Sequence, residues 1–195
     1  MNAAITSFQR RALRALSIAY FVQATGALSV AGSLPAISAA WQLTDAQSAR
    51  LLSIFGLTFA LAAPLVQVMF GHLRRRQLVL TGIGLFGLGA FAFALSPAYG
   101  ALVASRILMG VGAGFIGPVL VALGSELVHE QQRGRAIGMV LLGVSMASLA
   151  GIPLAAWVAG MWGAKALFAL VGLVSLLSGL NVLLTVPDES AGSRI

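Results

Sequence analysis

The 195-residue chain is 59% apolar and only 9% charged, with 12 Lys and Arg against 5 Asp and Glu, 2 His and no Cys. Soluble domains carry about 25% charged residues, and so few charges could not cover this much apolar surface in water. The missing cysteines exclude disulfides, thiol nucleophiles and thiolate metal sites. His72 and His129 stand too far apart in sequence to suggest a metal site, and no cofactor is expected. The net charge of +7 does not point to nucleic acid. The arginines fall in short segments between apolar runs, as membrane topology requires, not in a patch interleaved with aromatics.

Six apolar runs are predicted at about 16–36, 51–70, 78–95, 100–123, 136–159 and 166–186. An α-helix needs about 20 residues to cross a hydrocarbon core of about 30 Å, so each run reads as a span and the bilayer is the first partner. The first run follows Arg10, Arg11 and Arg14 and precedes Ser38-Ala39-Ala40, the outline of a signal peptide. It is longer than the ~7–15 apolar residues of such a peptide, and an uncleaved helix is expected. Arg10, Arg11, Arg14, Arg74, Arg75, Arg76, Arg133, Arg135 and Arg194 would share one side, against Arg50 and Lys165 on the other. The positive-inside rule then predicts both termini in the cytoplasm.

Spacings within the chain suggest a repeat. Pro64-Leu65 is followed by Gly71 and Pro153-Leu154 by Gly160, at an offset of 89 residues. Gly89 and Pro97 are echoed by Gly179 and Pro187 at an offset of 90. A repeat of three spans is odd, so its second copy must enter the membrane inverted. The expected architecture is an all-α membrane bundle of two inverted three-helix repeats, about 10–97 and 98–187. Secondary transporters of this design hold substrate near the midplane between the repeats.

The stretch 106–160 carries the strongest signals. Arg106 sits inside an apolar run, where a charge costs at least ~2.5–3.5 kcal/mol and is a functional candidate by default. It lies six residues past Gly100, about 9 Å deep at 1.5 Å per residue. The alternative is a side chain that snorkels back to the outer surface. Gly110, Gly112, Gly114 and Gly117 follow, ending in Pro118, and the next run breaks at Gly151-Ile152-Pro153. Helices in lipid associate through such small residues. Gly and Pro also let a helix bend where neighbours satisfy the freed backbone groups.

Other polar groups within the runs are few. Gln23, Gln67 and Asn181 are candidates to line a polar cavity, although hydrogen bonds between helices account for them equally well. Trp41, Trp157 and Trp162 read as interface anchors. The acids Asp45, Glu126, Glu130, Asp188 and Glu189 all fall outside the runs, leaving no intramembrane carboxylate for proton coupling. Glu126 and Glu130 are expected on the side of Arg74, Arg75 and Arg76 and could pair with them.

Arg106-x-x-x-Gly110-x-Gly112-x-Gly114 resembles the fourth-helix motif of the major facilitator superfamily. The run from Arg133-Gly134-Arg135 through Gly151-Ile152-Pro153-Leu154 is similar to that family's entry into helix five and its antiporter motif, in the form of bacterial drug and sugar efflux members. Gly71 and Arg74–Arg76 match the ends of the family's cytoplasmic loop motif, but its acidic residue is missing and the loop is about three residues short. That departure weakens the case for the family's charge-relay gate, formed here by Gly71, Arg74, Arg75, Arg76 and Glu126. The resemblance covers one half of a usual twelve-span member.

It implies an efflux transporter, or half of one, moving a small molecule by alternating access in a bacterial inner membrane. A second six-helix half, from another chain or a second copy, would be its partner. The competing reading is a truncated or accessory six-helix protein without transport of its own. An intramembrane serine protease fails because no histidine lies in a run to activate a serine. A water pore fails because no Asn-Pro-Ala pair is present.

Overall fold

The computed structural model describes residues 5–187, leaving Asp188, Glu189 and Arg194 outside the described residues. The described chain is helical, with no strand. Its helices are α1 (Ser7–Trp41), α2 (Asp45–Phe70), α3 (Arg75–Ala94), α4 (Tyr99–Glu126), α5 (Arg133–Met146) and α6 (Ile152–Thr185). A 3-10 turn at Glu130–Gln132 precedes α5, and a π turn at Ala147–Gly151 joins α5 to α6.

Caps set the helix starts. Thr6 and Gln9 form a reciprocal capping box on α1, and Thr44 and Gln47 do the same on α2. α1 therefore begins at Ser7, nine residues before the predicted 16. Its 35 residues span about 52 Å, so its arginine-bearing start projects beyond a hydrocarbon core of about 30 Å. α1 kinks at Ser33 (φ −123°, ψ 16°), two residues before Pro35, where the ring obstructs a regular turn. Arg75 and Arg76 open α3 instead of lying in a loop as expected, and Arg74 is the N-cap.

The largest departure from expectation concerns the last two runs. Five helical stretches are long and apolar enough to span, and the fifth covers 56 residues, Glu130–Thr185, with no loop inside it. No loop separates 136–159 from 166–186; the only break between them is Gly163, at φ 83° and ψ 166°. That region of backbone space is open to glycine and strained for other residues. With a turn made by one residue, no polar linker was needed to mark it.

Register along α1 records what Gly163 does. Gly143 packs on Ser17, Gly151 on Thr25, and Ile152 and Ala156 on Gly32, so α5 and the first leg of α6 run parallel to α1. Lys165 Nζ then lies 5.6 Å from the ring centroid of Trp41, near the end of α1. Val171 packs back on Gly26, so the second leg returns. That leg continues antiparallel to α3, with Gly172 on Phe91, Leu176 on Gly87 and Gly179 on Ile83.

The ends of the bundle are stitched by polar contacts. Gln9 Nε2 donates to the Leu127 carbonyl at 2.8 Å, tying the start of α1 to the α4–α5 link. Arg75 Nε meets Glu126 Oε1 at 2.7 Å, and an Arg76 guanidinium nitrogen donates to the Leu183 carbonyl. These contacts gather the arginine-bearing segments at one end. At the other, Trp41 Nε1 donates to the Ser96 carbonyl at 2.9 Å and its ring meets Phe93 edge-on. Trp41 is thus a helix tie, whereas Trp157 and Trp162 are exposed, as interface anchors would be.

Candidate functional site

Arg106 is fully buried, the largest such side chain among the described residues. It does not snorkel outward. α2 and α4 run parallel, and Arg106 reaches sideways from α4 into the space they share with α1. Its Nε donates to the Leu51 carbonyl on α2 at 3.3 Å, and Nη2 to the Ala27 carbonyl on α1 at 3.2 Å. Nη1 points at Met109 Sδ, 3.7 Å away, and Cζ stands 4.4 Å from the Phe55 ring centroid. No described carboxylate pairs with it. Two carbonyl dipoles and an aromatic face supply the negative potential instead, strengthened by the low local dielectric.

The glycines after Arg106 divide between two seams. A Cβ on Gly110 would stand 2.8 Å from Thr58 Cβ, and one on Gly114 2.8 Å from Ala62 Cβ, so both face α2. One on Gly112 would stand 2.6 Å from the Phe86 nitrogen, so it faces α3. These distances lie well inside van der Waals contact, and only hydrogen in place of a methyl permits the helices to sit so close. Gly117 differs: its nearest neighbours, Tyr20 and Phe59, leave room for ordinary contact.

Gly151 and Pro153 shape the opposite seam. Pro153 has no amide hydrogen and its ring crowds the carbonyl four residues back, so a regular α turn fails there. The chain widens into the π turn, and the Ile152 amide donates to the Ala147 carbonyl five residues back. This sets Gly151 directly on the Thr25 side chain, whose buried hydroxyl has no hydrogen-bond partner.

At the stitched end, the expected pairing of Glu126 with the arginine cluster occurs through Arg75. Glu130 instead approaches Arg133, at 3.8 Å on its own turn. Gly71 ends α2 as its C-cap, beside this cluster in sequence.

The three polar cavity candidates do not converge. Gln23 is buried on α1, Gln67 is exposed on α2, and Asn181 is half-buried on α6, where its Oδ1 accepts from Thr185 Oγ1 at 3.0 Å. No hydrogen bond among the described residues joins the three. An apolar cleft of about 110 Å³ opens between α1 and α6, lined by Phe21, Thr25, Leu154 and Val171 among others, and none of the three lines it. Sequence reasoning missed Leu51, Phe55 and Thr25. The first contributes only a carbonyl, and nothing in a sequence marks which carbonyl an arginine will find.

A helical bundle of this hydropathy, pinned at its ends and closely seamed between, is an integral membrane protein. Its sequence matches the profile of the Major Facilitator Superfamily over residues 16–194, and the chain belongs to that superfamily. It is 29% identical to the uncharacterized MFS-type transporter YbcL of Bacillus subtilis, over 88% of this chain and 44% of that protein. It is 25% identical to the inner membrane transport protein YdhP of Escherichia coli, over 93% of this chain and 47% of that protein. A chloramphenicol efflux pump of Mycobacterium tuberculosis is 32% identical over 77% of this chain and 37% of the pump. The chain spans about half the length, or less, of these curated relatives.

Proposed function

We propose that this chain forms one six-span half of a secondary transporter that exports a small molecule by alternating access. The run Glu130–Thr185 would extend about 84 Å if straight, nearly three times a hydrocarbon core, and the returning register after Gly163 supports two crossings within it. With four earlier spans that makes six, which puts both ends on the arginine-rich, cytoplasmic face. Relatives from bacteria, one of them called an inner membrane protein, support an inner-membrane location.

The observation that carries the reading is that the two seams repeat one another. Thr25 and Gly114 are 89 residues apart, as are Ala62 and Gly151, and the contact of Thr25 with Gly151 matches that of Gly114 with Ala62. Gly26 and Phe115 are likewise 89 apart, as are Gly82 and Val171, and Gly26 packs on Val171 as Phe115 packs on Gly82. These correspondences support two inverted three-span units. In such designs each unit supplies half of a midplane site and rocks against a partner lobe.

In this reading Arg106 fixes α1, α2 and α4 as one body. Gly110, Gly112, Gly114, Gly151 and Pro153 set the seams on which that body moves. Gly71, Arg74, Arg75, Arg76 and Glu126 latch the cytoplasmic end, while Gln23, Gln67 and Asn181 face the transport path in some state of the cycle. A second six-span half completes the pathway. The likeness to a chloramphenicol pump makes chloramphenicol the first compound to try. Inside-out vesicles from cells expressing this chain should accumulate it above vesicles without the chain. Equal accumulation with and without the chain, and also after co-expression of a carboxy-terminal half from a full-length relative, would favour the accessory reading.

A further inference from the structure

We propose that the start of α1 is a binding site for the phosphate headgroup of an anionic phospholipid. Ser7, Arg10, Arg11 and Arg14 line an open surface cleft of about 280 Å³. Three guanidinium groups within two helical turns repel one another, and no described carboxylate lies within ion-pair distance of any of them. Arg75, by contrast, holds Glu126, and Arg133 approaches Glu130. An arrangement of this kind is completed by an anion, and the guanidinium fork suits phosphate oxygens in particular.

The site is preformed. Ile5, Ala12 and Leu13 on the other face of this segment are buried, and Gln9 is bonded to the Leu127 carbonyl, so the arginines stand on an anchored helix. Topology alone asks only for positive charge near the span, not for three arginines converging on one cleft.

The surroundings select a lipid over a soluble phosphate. Ser7, Arg11, Arg14 and Ile18 follow one another on a single helical stripe, and Ile18 is 51% exposed one turn deeper toward the apolar core. Phe8, 54% exposed, adds a second apolar side chain on the first turn of α1, beside Ser7 in sequence. Charge above and hydrocarbon below is the profile of a phospholipid at the membrane boundary. Arginines at such a surface contribute to binding anionic lipid individually, which makes the site testable residue by residue.

The inference requires only that the chain is membrane-embedded, so it stands or falls separately from transport. The full chain, purified in detergent, is titrated with phosphatidylglycerol or phosphatidylcholine and bound lipid is counted by native mass spectrometry. Phosphatidylglycerol should be retained in preference, and each of R10Q, R11Q and R14Q should weaken it roughly fivefold. R135Q, which removes an arginine outside the cleft, should leave retention unchanged. Single variants keep two arginines for topology, and Arg14→Lys checks the fork, with an expected loss of about threefold or more at unchanged charge. Equal retention in R10Q, R11Q and R14Q, or an equal fall in R135Q, would overturn the assignment. So would full displacement of the lipid by millimolar glycerol phosphate, which would make the ligand a soluble phosphate ester.

Discussion

Arg106 Nη2 on α4 donates across 3.2 Å to the carbonyl oxygen of Ala27 on α1. The acceptor is backbone, so no substitution at position 27 removes it, and the bond registers the height of one helix against the other. The second bond, to Leu51, does the same for α2. A charge buried this completely, held by main-chain dipoles, acts as a clamp on three helices.

Removing the clamp should uncouple them. Arg106→Ala is expected to cut vesicle transport by at least about tenfold, since hydrogen bonds to a charged group contribute ~1.5–3 kcal/mol. Membrane insertion should be unchanged. Arg106→Lys should not rescue, because one ammonium cannot span two carbonyls on different helices as the planar fork does. Transport at the parental rate in the alanine variant would remove Arg106 from the account.

The seams give a second prediction. Gly114→Val and Gly151→Val each force a side chain into the neighbouring helix, and should lower stability by about 1–3 kcal/mol. Gly84 has nothing within 4 Å of the position a Cβ would take. Gly84→Ala should be neutral, or stabilising by up to about 1 kcal/mol through helix propensity. Thermal unfolding in detergent reads all three, and equal midpoints would contradict the assignment of the seams.

The ion pair of Arg75 with Glu126 gives a third. Glu126→Arg and Arg75→Glu should each depress transport, and the double exchange should recover it. With side chains 40% and 35% exposed, the pair should contribute only about 0.5–1 kcal/mol to folding, so unfolding midpoints should move little. A double exchange as poor as either single variant would show that charge position, not pairing, matters there.

Much of this was legible in the residues. Apolar runs gave the helices, and Glu126 was expected near the arginines because both flank spans on the same face. Three things were hidden, each for a physical reason. Gly163 turns the chain alone, and a lone glycine before Ala-Lys in a glycine-rich sequence carries no mark of a reversal. The π turn follows from Pro153, but whether a proline kinks, caps or widens a helix depends on the neighbour it meets, here Thr25. The partners of the Arg106 side chain were hidden, and an escape to the surface stood as the alternative to burial, because its acceptors are carbonyls and carbonyls have no signature. The early start of α1 could have been found: Thr6 and Gln9 have the spacing of a capping box, as do Thr44 and Gln47.

The central claim, six crossings in two inverted units, is tested most directly by cysteine labelling of a chain that has no cysteine of its own. Single cysteines at His129, Trp162 and Pro187 are exposed to a membrane-impermeant thiol reagent in intact cells and then in inside-out vesicles. The account predicts that position 162 labels in cells, and that 129 and 187 label only in the vesicles. Labelling of 129 and 162 from the same side, or of 129 and 187 from opposite sides, would contradict it.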